Sequence, residues 1–296
     1  MKHTWTLTTM RVRLALRNRV FLFFSLIMPL AFFFLFAGVF GKGDPHAVAY
    51  LLGPVLALTV MGSFWGLSAS LVMFREQGIL RRFRVAPIGP ADMLASSLIA
   101  NYILTLPTVA VELALARLLF HVKDFGNVWS LFVLITVGTI SFASLGLVVA
   151  SVTNTMQETQ VICQIVWFLL LFFSGATFPL PILPNAIQHL ADFLPATYLV
   201  FGLQKAIKES APVWHLAEAV LPLAGWAVLT FLISTQLFRW ESEEKVTRNA
   251  KAWAAASILP FLLLGAWETK RGQIRRESSS MFDRMRQPSA PQNPGR

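Results

Sequence analysis

The chain has 296 residues, of which 55% are hydrophobic and only 14% charged, and its formal net charge is +10. Soluble domains carry about 25% charged residues, so this composition argues for a single membrane domain. Nucleic acid is not expected as a partner, because the positive charge collects in the loops of one face and in the tail.

Residues 1–19 carry Lys2, Arg11, Arg13, Arg17 and Arg19, no acid, and the interleaved apolar residues Trp5, Leu7, Met10, Leu14 and Leu16. That pattern predicts an amphipathic helix on the inner surface of a membrane. The apolar run Val20 to Phe40 exceeds the about 7–15 residues of a signal peptide core, and no small-residue cleavage site follows it. It reads as a retained first span that tolerates Pro29. After a short outer turn (Gly41 to Val48), spans are expected at Tyr50 to Phe74 and Leu94 to Leu119, each meeting the need for about 20 apolar residues.

Between these two spans lies a charged island, Arg75 to Pro87, with Arg75, Arg81, Arg82 and Arg84. Ile79, Leu80 and Phe83 beside the arginines, opened by Gly78 and closed by Pro87, predict a short amphipathic helix suited to a partner's groove.

A fourth span is expected from Val128 to Val152, with Gly138, Ser141, Ser144 and Gly146 allowing close helix approach. The polar stretch Thr153 to Gln160 reads as an inner link, and Val161 to Phe178 as the fifth span. Pro179, Pro181, Pro184 and Pro195 forbid one continuous helix through the next segment, which predicts two short helices dipping into the outer leaflet. The sixth span is Trp214 to Phe238.

The tail holds a shorter apolar segment, 252–267, that includes Pro260 and fits an inner-leaflet helix. A seventh span would carry Lys270, Arg271, Arg275, Arg276, Arg284 and Arg286 outside. Residues 278–296 read as disordered. With the N-terminus inside, the inner face holds five Lys and Arg in residues 1–19, four in 75–93 and eleven in 239–296. The outer side holds only Lys42, Arg117, Lys123, Lys205 and Lys208, so the charge rule favours this orientation.

The chemistry is defined mainly by what the sequence lacks. No G-x-x-x-x-G-K-[ST] phosphate loop occurs, the five His are scattered, and no paired acids are embedded in the spans. No catalytic group and no metal site is expected. The lone Cys163, in an apolar run, reads as a small buried hydrophobe. Glu112 is the one acid within a span, either facing a cavity or reaching water near Arg117. Asn154, Gln157, Gln160 and Gln164 recur near helical spacing, as the inner mouth of a path, a dimer seam or a plain helix corner.

Three elements together carry a family resemblance. They are the basic N-terminal helix leading into Val20 to Phe40, the island with Glu76, Gly78, Leu80, Arg81 and Arg82, and the run Phe173 to Pro179 followed by Leu183-Pro184 and Leu194 to Tyr198. Over residues 1–240 the chain resembles the transmembrane subunit of ABC-2 type exporters. The resemblance implies an all-α membrane protein with six transmembrane helices and an N-terminal amphipathic helix. It also implies a cytoplasmic coupling helix, and short outer re-entrant helices before the last span. The domains would be an interfacial helix at 1–19, a transmembrane domain at 20–240 and a basic cytoplasmic tail at 241–296.

In such a protein Glu76, Gly78, Leu80, Arg81, Arg82, Phe83 and Pro87 would couple to an ATPase, and Ser174, Gly175, Pro179, Pro184 and Pro195 would form an outer gate. Glu112, Gln157 and Gln164 would line the pathway. The chain itself would hold no cofactor, ATP and Mg being bound by separate ATP-binding-cassette subunits. A second permease subunit and membrane lipid would be further partners, and the location a cell inner (plasma) membrane with the N-terminus cytoplasmic. The implied activity is export of an amphipathic or lipid-like substrate, such as a drug, lipid or lipid-linked glycan. A secondary transporter or channel would need embedded charges or a filter loop. A membrane-embedded enzyme would need His or acids clustered at one depth.

Overall fold

Long apolar stretches can satisfy their backbone groups in lipid as helices, and the described chain is helical, with no strand. The computed structural model describes residues 2–17, 30–35, 45–83, 88–240 and 248–286, with residues 23, 27 and 38. The helices are α1 (Lys2–Arg17), α2 (Pro45–Met61), α3 (Ser63–Glu76), α4 (Ile79–Phe83), α5 (Pro90–Leu118), α6 (Val128–Val152) and α7 (Met156–Phe173). There follow α8 (Asn185–Ala191), α9 (Pro195–Lys208), α10 (Ala217–Leu237), α11 (Arg248–Ala256), α12 (Leu259–Arg271) and α13 (Gln273–Arg286), with 3-10 turns at Leu180–Ile182 and Val213–Leu216.

Among the described residues, six stretches are long and apolar enough to cross a membrane: Val48–Glu76, Pro90–Leu118, Val128–Val152, Met156–Phe173, Val213–Leu237 and Ala252–Arg271. The number equals the expectation, but the membership differs. The expected span Val20 to Phe40 lies largely outside the described residues, and the tail segment takes the sixth place.

Hydrogen bonds fix which helix ends lie together. Glu76, closing α3, accepts from the Met156 N–H that opens α7 at 2.8 Å. Arg239, just past α10, donates to the Asn154 side chain at 2.9 Å and to the Thr153 carbonyl at 2.6 Å, beyond α6. These residues mark the island end. At the far end the Asn127 N–H donates to Ala206 O at 3.0 Å and Ser130 Oγ to Ala211 O at 2.7 Å.

The core is built around α6, whose small residues let neighbours approach. A Cβ added to Gly146 would lie 3.0 Å from both Cα and C of Phe64 on α3. Ser141 Oγ donates to Leu223 O on α10 at 2.6 Å. Cys163 on α7 is buried, as expected, with its sulfur 3.1 Å from Ser68 Oγ.

Helices α8 and α9 follow the proline-rich segment, and α9 is packed inside the chain. Residues 195–204 are all buried, and Gly53 on α2 sits so close that its Cβ would lie 3.0 Å from Gln204 N.

The tail departs most from expectation. Trp226, midway along α10, donates its ring N–H to Ser257 O at 2.8 Å, at the break between α11 and α12. From there α12 runs to the far end, where Arg271 pairs with Glu218 at 2.9 Å. The sequence reading set tail and island on one face, whereas α13 lies at the end opposite the island. The charge rule weighs cations without their partners. Here Arg271, Arg275 and Arg284 pair with Glu218, Asp192 and Glu209, and Ile274, Met281 and Phe282 turn inward and are buried.

Candidate functional site

At the island, Gly78 takes φ +67°, the left-handed turn that releases the chain from α3 into α4. Leu80 is fully buried in a cluster with Leu7, Val72, Met93 and Leu147, and the half-buried Phe83 packs against it. Leu80 is therefore part of the chain's own core and does not face outward to a partner. Arg81 and Arg82 are exposed on α4. Arg84 and Pro87 lie outside the described residues.

The residues that sequence reasoning missed here are Arg75 and Arg239. Arg75 is 3% exposed and donates to the carbonyls of Ala150 at 2.9 Å and Thr153 at 2.5 Å, so Arg75 and Arg239 share the Thr153 oxygen. Carbonyls at a helix C-terminus lack intrahelical partners and carry partial negative charge, which suits two cations. The available signal was the lack of any cation in the last turn of α6 itself.

Helix α1 packs beside the start of α5. Thr4 Oγ1 donates to Asp92 Oδ1 at 2.9 Å, and the Arg11 guanidinium lies 5.2 Å from the Phe74 ring centroid. Burial pushes Arg11 down to about 10, still fully charged at neutral pH.

Glu112 is fully buried on α5, where Thr59 Oγ1 on α2 donates to its Oε1 at 2.5 Å, and its Oε2 is buried without a partner. Water is not within reach, contrary to one of the two expectations. Gln157 and Gln164 sit on α7, exposed and half-buried, and no hydrogen bond joins either to Glu112 among the described residues. The structure does not assemble these three into one site.

At the far end the predicted gate residues act as punctuation. Ser174 closes α7, Gly175 takes φ +87°, Pro179 precedes the 3-10 turn, Pro184 caps α8, and Pro195 opens α9. Proline suits the first turn of a helix because its missing N–H has no partner there anyway. Tyr198 OH donates to Asp192 O at 2.8 Å, holding α8 and α9 together. Among the described residues no group of three His, Cys, Asp or Glu could hold a metal ion.

This arrangement has relatives among known proteins. YvfS of Bacillus subtilis, named as a transport permease, is 24% identical over 76% of this chain and 92% of the relative. The daunorubicin resistance ABC transporter permease protein DrrB1 of Streptomyces coeruleorubidus is 28% identical over 72% of this chain and 76% of its own length. The linearmycin resistance permease protein LnrN of B. subtilis is 22% identical over 62% of the chain and 47% of its own length. Residues 41–235 match the family described as ABC-2 family transporter protein, and the match holds both the island and the proline-punctuated far end. The chain belongs to the ABC-2 family of transporter proteins, as a multi-pass membrane permease.

Proposed function

We propose that this chain is the transmembrane subunit of an ABC exporter, driven by separate ATP-binding-cassette subunits that carry the ATP and Mg. The observation that carries the reading is the family match over residues 41–235, in a chain with no phosphate loop of its own. The island end then faces the cytoplasm, with α1 at the inner surface of the plasma membrane, and α4 presents Arg81 and Arg82 to acids on the ATPase. Leu80 and Phe83 support that short helix from behind, and Glu76 and Gly78 set its position. A second permease subunit completes the pathway, with lipid around both. The gate formed by Ser174, Gly175, Pro179, Pro184 and Pro195 lies at the exit. The cargo is amphipathic or lipid-like, a reading supported by the drug-resistance names of two relatives.

The test is co-expression of the tagged chain with candidate ATP-binding-cassette subunits, followed by co-purification and transport with and without them. A stable complex and ATP-dependent export support the reading. Transport by the chain alone, driven by an ion gradient, overturns it in favour of a secondary transporter.

A further inference from the structure

The family match ends at residue 235, so α11–α13 lie beyond it. They are nonetheless closely packed on the far end. Phe261 lies against Tyr198 and Trp226, with ring centroids 5.7 and 5.0 Å away. Gly265 approaches Phe193 so closely that an added Cβ would lie 2.6 Å from its Cγ and 2.9 Å from its Cα. Glu268, 2% exposed, accepts the Ile274 N–H at 2.7 Å, and Gly272 with φ +61° makes the corner into α13.

Polar contacts then continue along α8 and α9. Asp192, fully buried beside α8, accepts from Thr269 at 3.1 Å and pairs with Arg275 at 3.4 Å. Burial pushes the Asp192 carboxyl up, while the Arg275 charge and the Thr269 hydrogen bond pull it back. Lys205 pairs with Glu277 at 2.5 Å, and Arg284 with Glu209 at 2.8 Å, just past α9. The contacts thus run from Asp192 to Glu209, across the corner between α8 and α9 and along α9.

We infer that α12 and α13 form an intramolecular strap that holds α8 and α9 in place and sets how readily they move. An isolated exposed ion pair contributes little, but here several partly buried pairs act together with a buried apolar face. Calling this the exit side rests on the export reading above, which stands or falls by ATPase co-purification. The strap is tested separately, on the permease alone.

The experiment is hydrogen–deuterium exchange on the full-length permease in lipid nanodiscs. Glu277→Lys sets like charges together at Lys205, and Gly265→Leu wedges α12 away from Phe193. Each should raise exchange in α13 and in residues 185–208 by about tenfold or more, with α6 unchanged. The charge swap Lys205→Glu with Glu277→Lys should restore protection. The inference is overturned if α13 loses protection while residues 185–208 keep theirs, if neither variant loosens α13, or if α6 loosens equally.

Discussion

Glu76 Oε1 accepts a hydrogen bond from the Met156 backbone N–H at 2.8 Å, tying the end of one long helix to the start of another. The island is thereby fixed to α7 as well as to α3. Glu76→Ala removes this cap and should cost about 1 kcal/mol, a Tm drop of about 2–4 °C in detergent. Glu76→Gln, which keeps an acceptor, should recover most of it.

Arg82→Glu sets like charge against the acids proposed on the ATPase, which can cost several kcal/mol at a partly desolvated contact. Each 1.4 kcal/mol is about tenfold in affinity, so ATPase co-purification should fall by orders of magnitude. Membrane abundance should hold, because Arg82 is exposed and outside the spans. Leu80→Asp should instead lower abundance, since Leu80 is buried in the permease's own core.

Gly146→Leu should disrupt the α3–α6 contact, because even a Cβ there falls 3.0 Å from the Phe64 backbone. Overpacking of this kind costs about 1–3 kcal/mol or more. Folded yield by size-exclusion chromatography should drop, whereas Ser144→Ala, two residues away, should be tolerated.

Thr59→Val leaves Glu112 with neither oxygen hydrogen-bonded among the described residues, at a cost of about 1–3 kcal/mol. Thr59→Ser should be close to neutral in a thermal melt. A larger loss for Thr59→Ser than for Thr59→Val would show that the hydroxyl is not the stabilising group.

Acid should act on the tail in two opposing ways. Burial pushes Glu277 up, but hydrogen bonds from Lys205 and Gln273 and the charges of Lys205 and Arg271 outweigh it and hold the carboxyl below 4.5. A lowered carboxyl value means its stabilisation is complete above 4.5 and is lost as pH falls through the folded value. Asp192 runs the other way, its raised value favouring the protonated folded form on acidification. Glu277→Gln separates the two, because it removes only the first. Tail protection measured from pH 6 downward should rise in Glu277→Gln, where only Asp192 still titrates, and rise less or fall in the wild type.

Much of this fold was legible in the sequence, because helices that cross a membrane leave long apolar runs. The limits of α6 come out as read, Val128–Val152, since Asn127 caps its start and the polar Thr153-Asn154 ends it. Helix α7 starts five residues earlier than expected. The Thr155 side chain accepts from the Glu158 N–H and Glu158 caps Asn154, a Thr-x-x-Glu signature within what read as a link. The island's charge was visible, but which of its arginines turns inward was not, since that depends on the uncapped end of α6, far away in sequence. The tail was misplaced for the same reason. Its cations look unpaired in sequence, and their acids at 192, 209 and 218 come together with them only on folding.

The bond from Trp226 to Ser257 has a mechanical consequence. It lies midway along α10, well away from the ion pairs that hold α13 at the far end. Breaking those pairs frees only α13, while α12 stays attached from Ser257 onward, so α13 can swing back onto its seat from the corner at Gly272. Reclosing is then an intramolecular step whose rate does not depend on protein concentration.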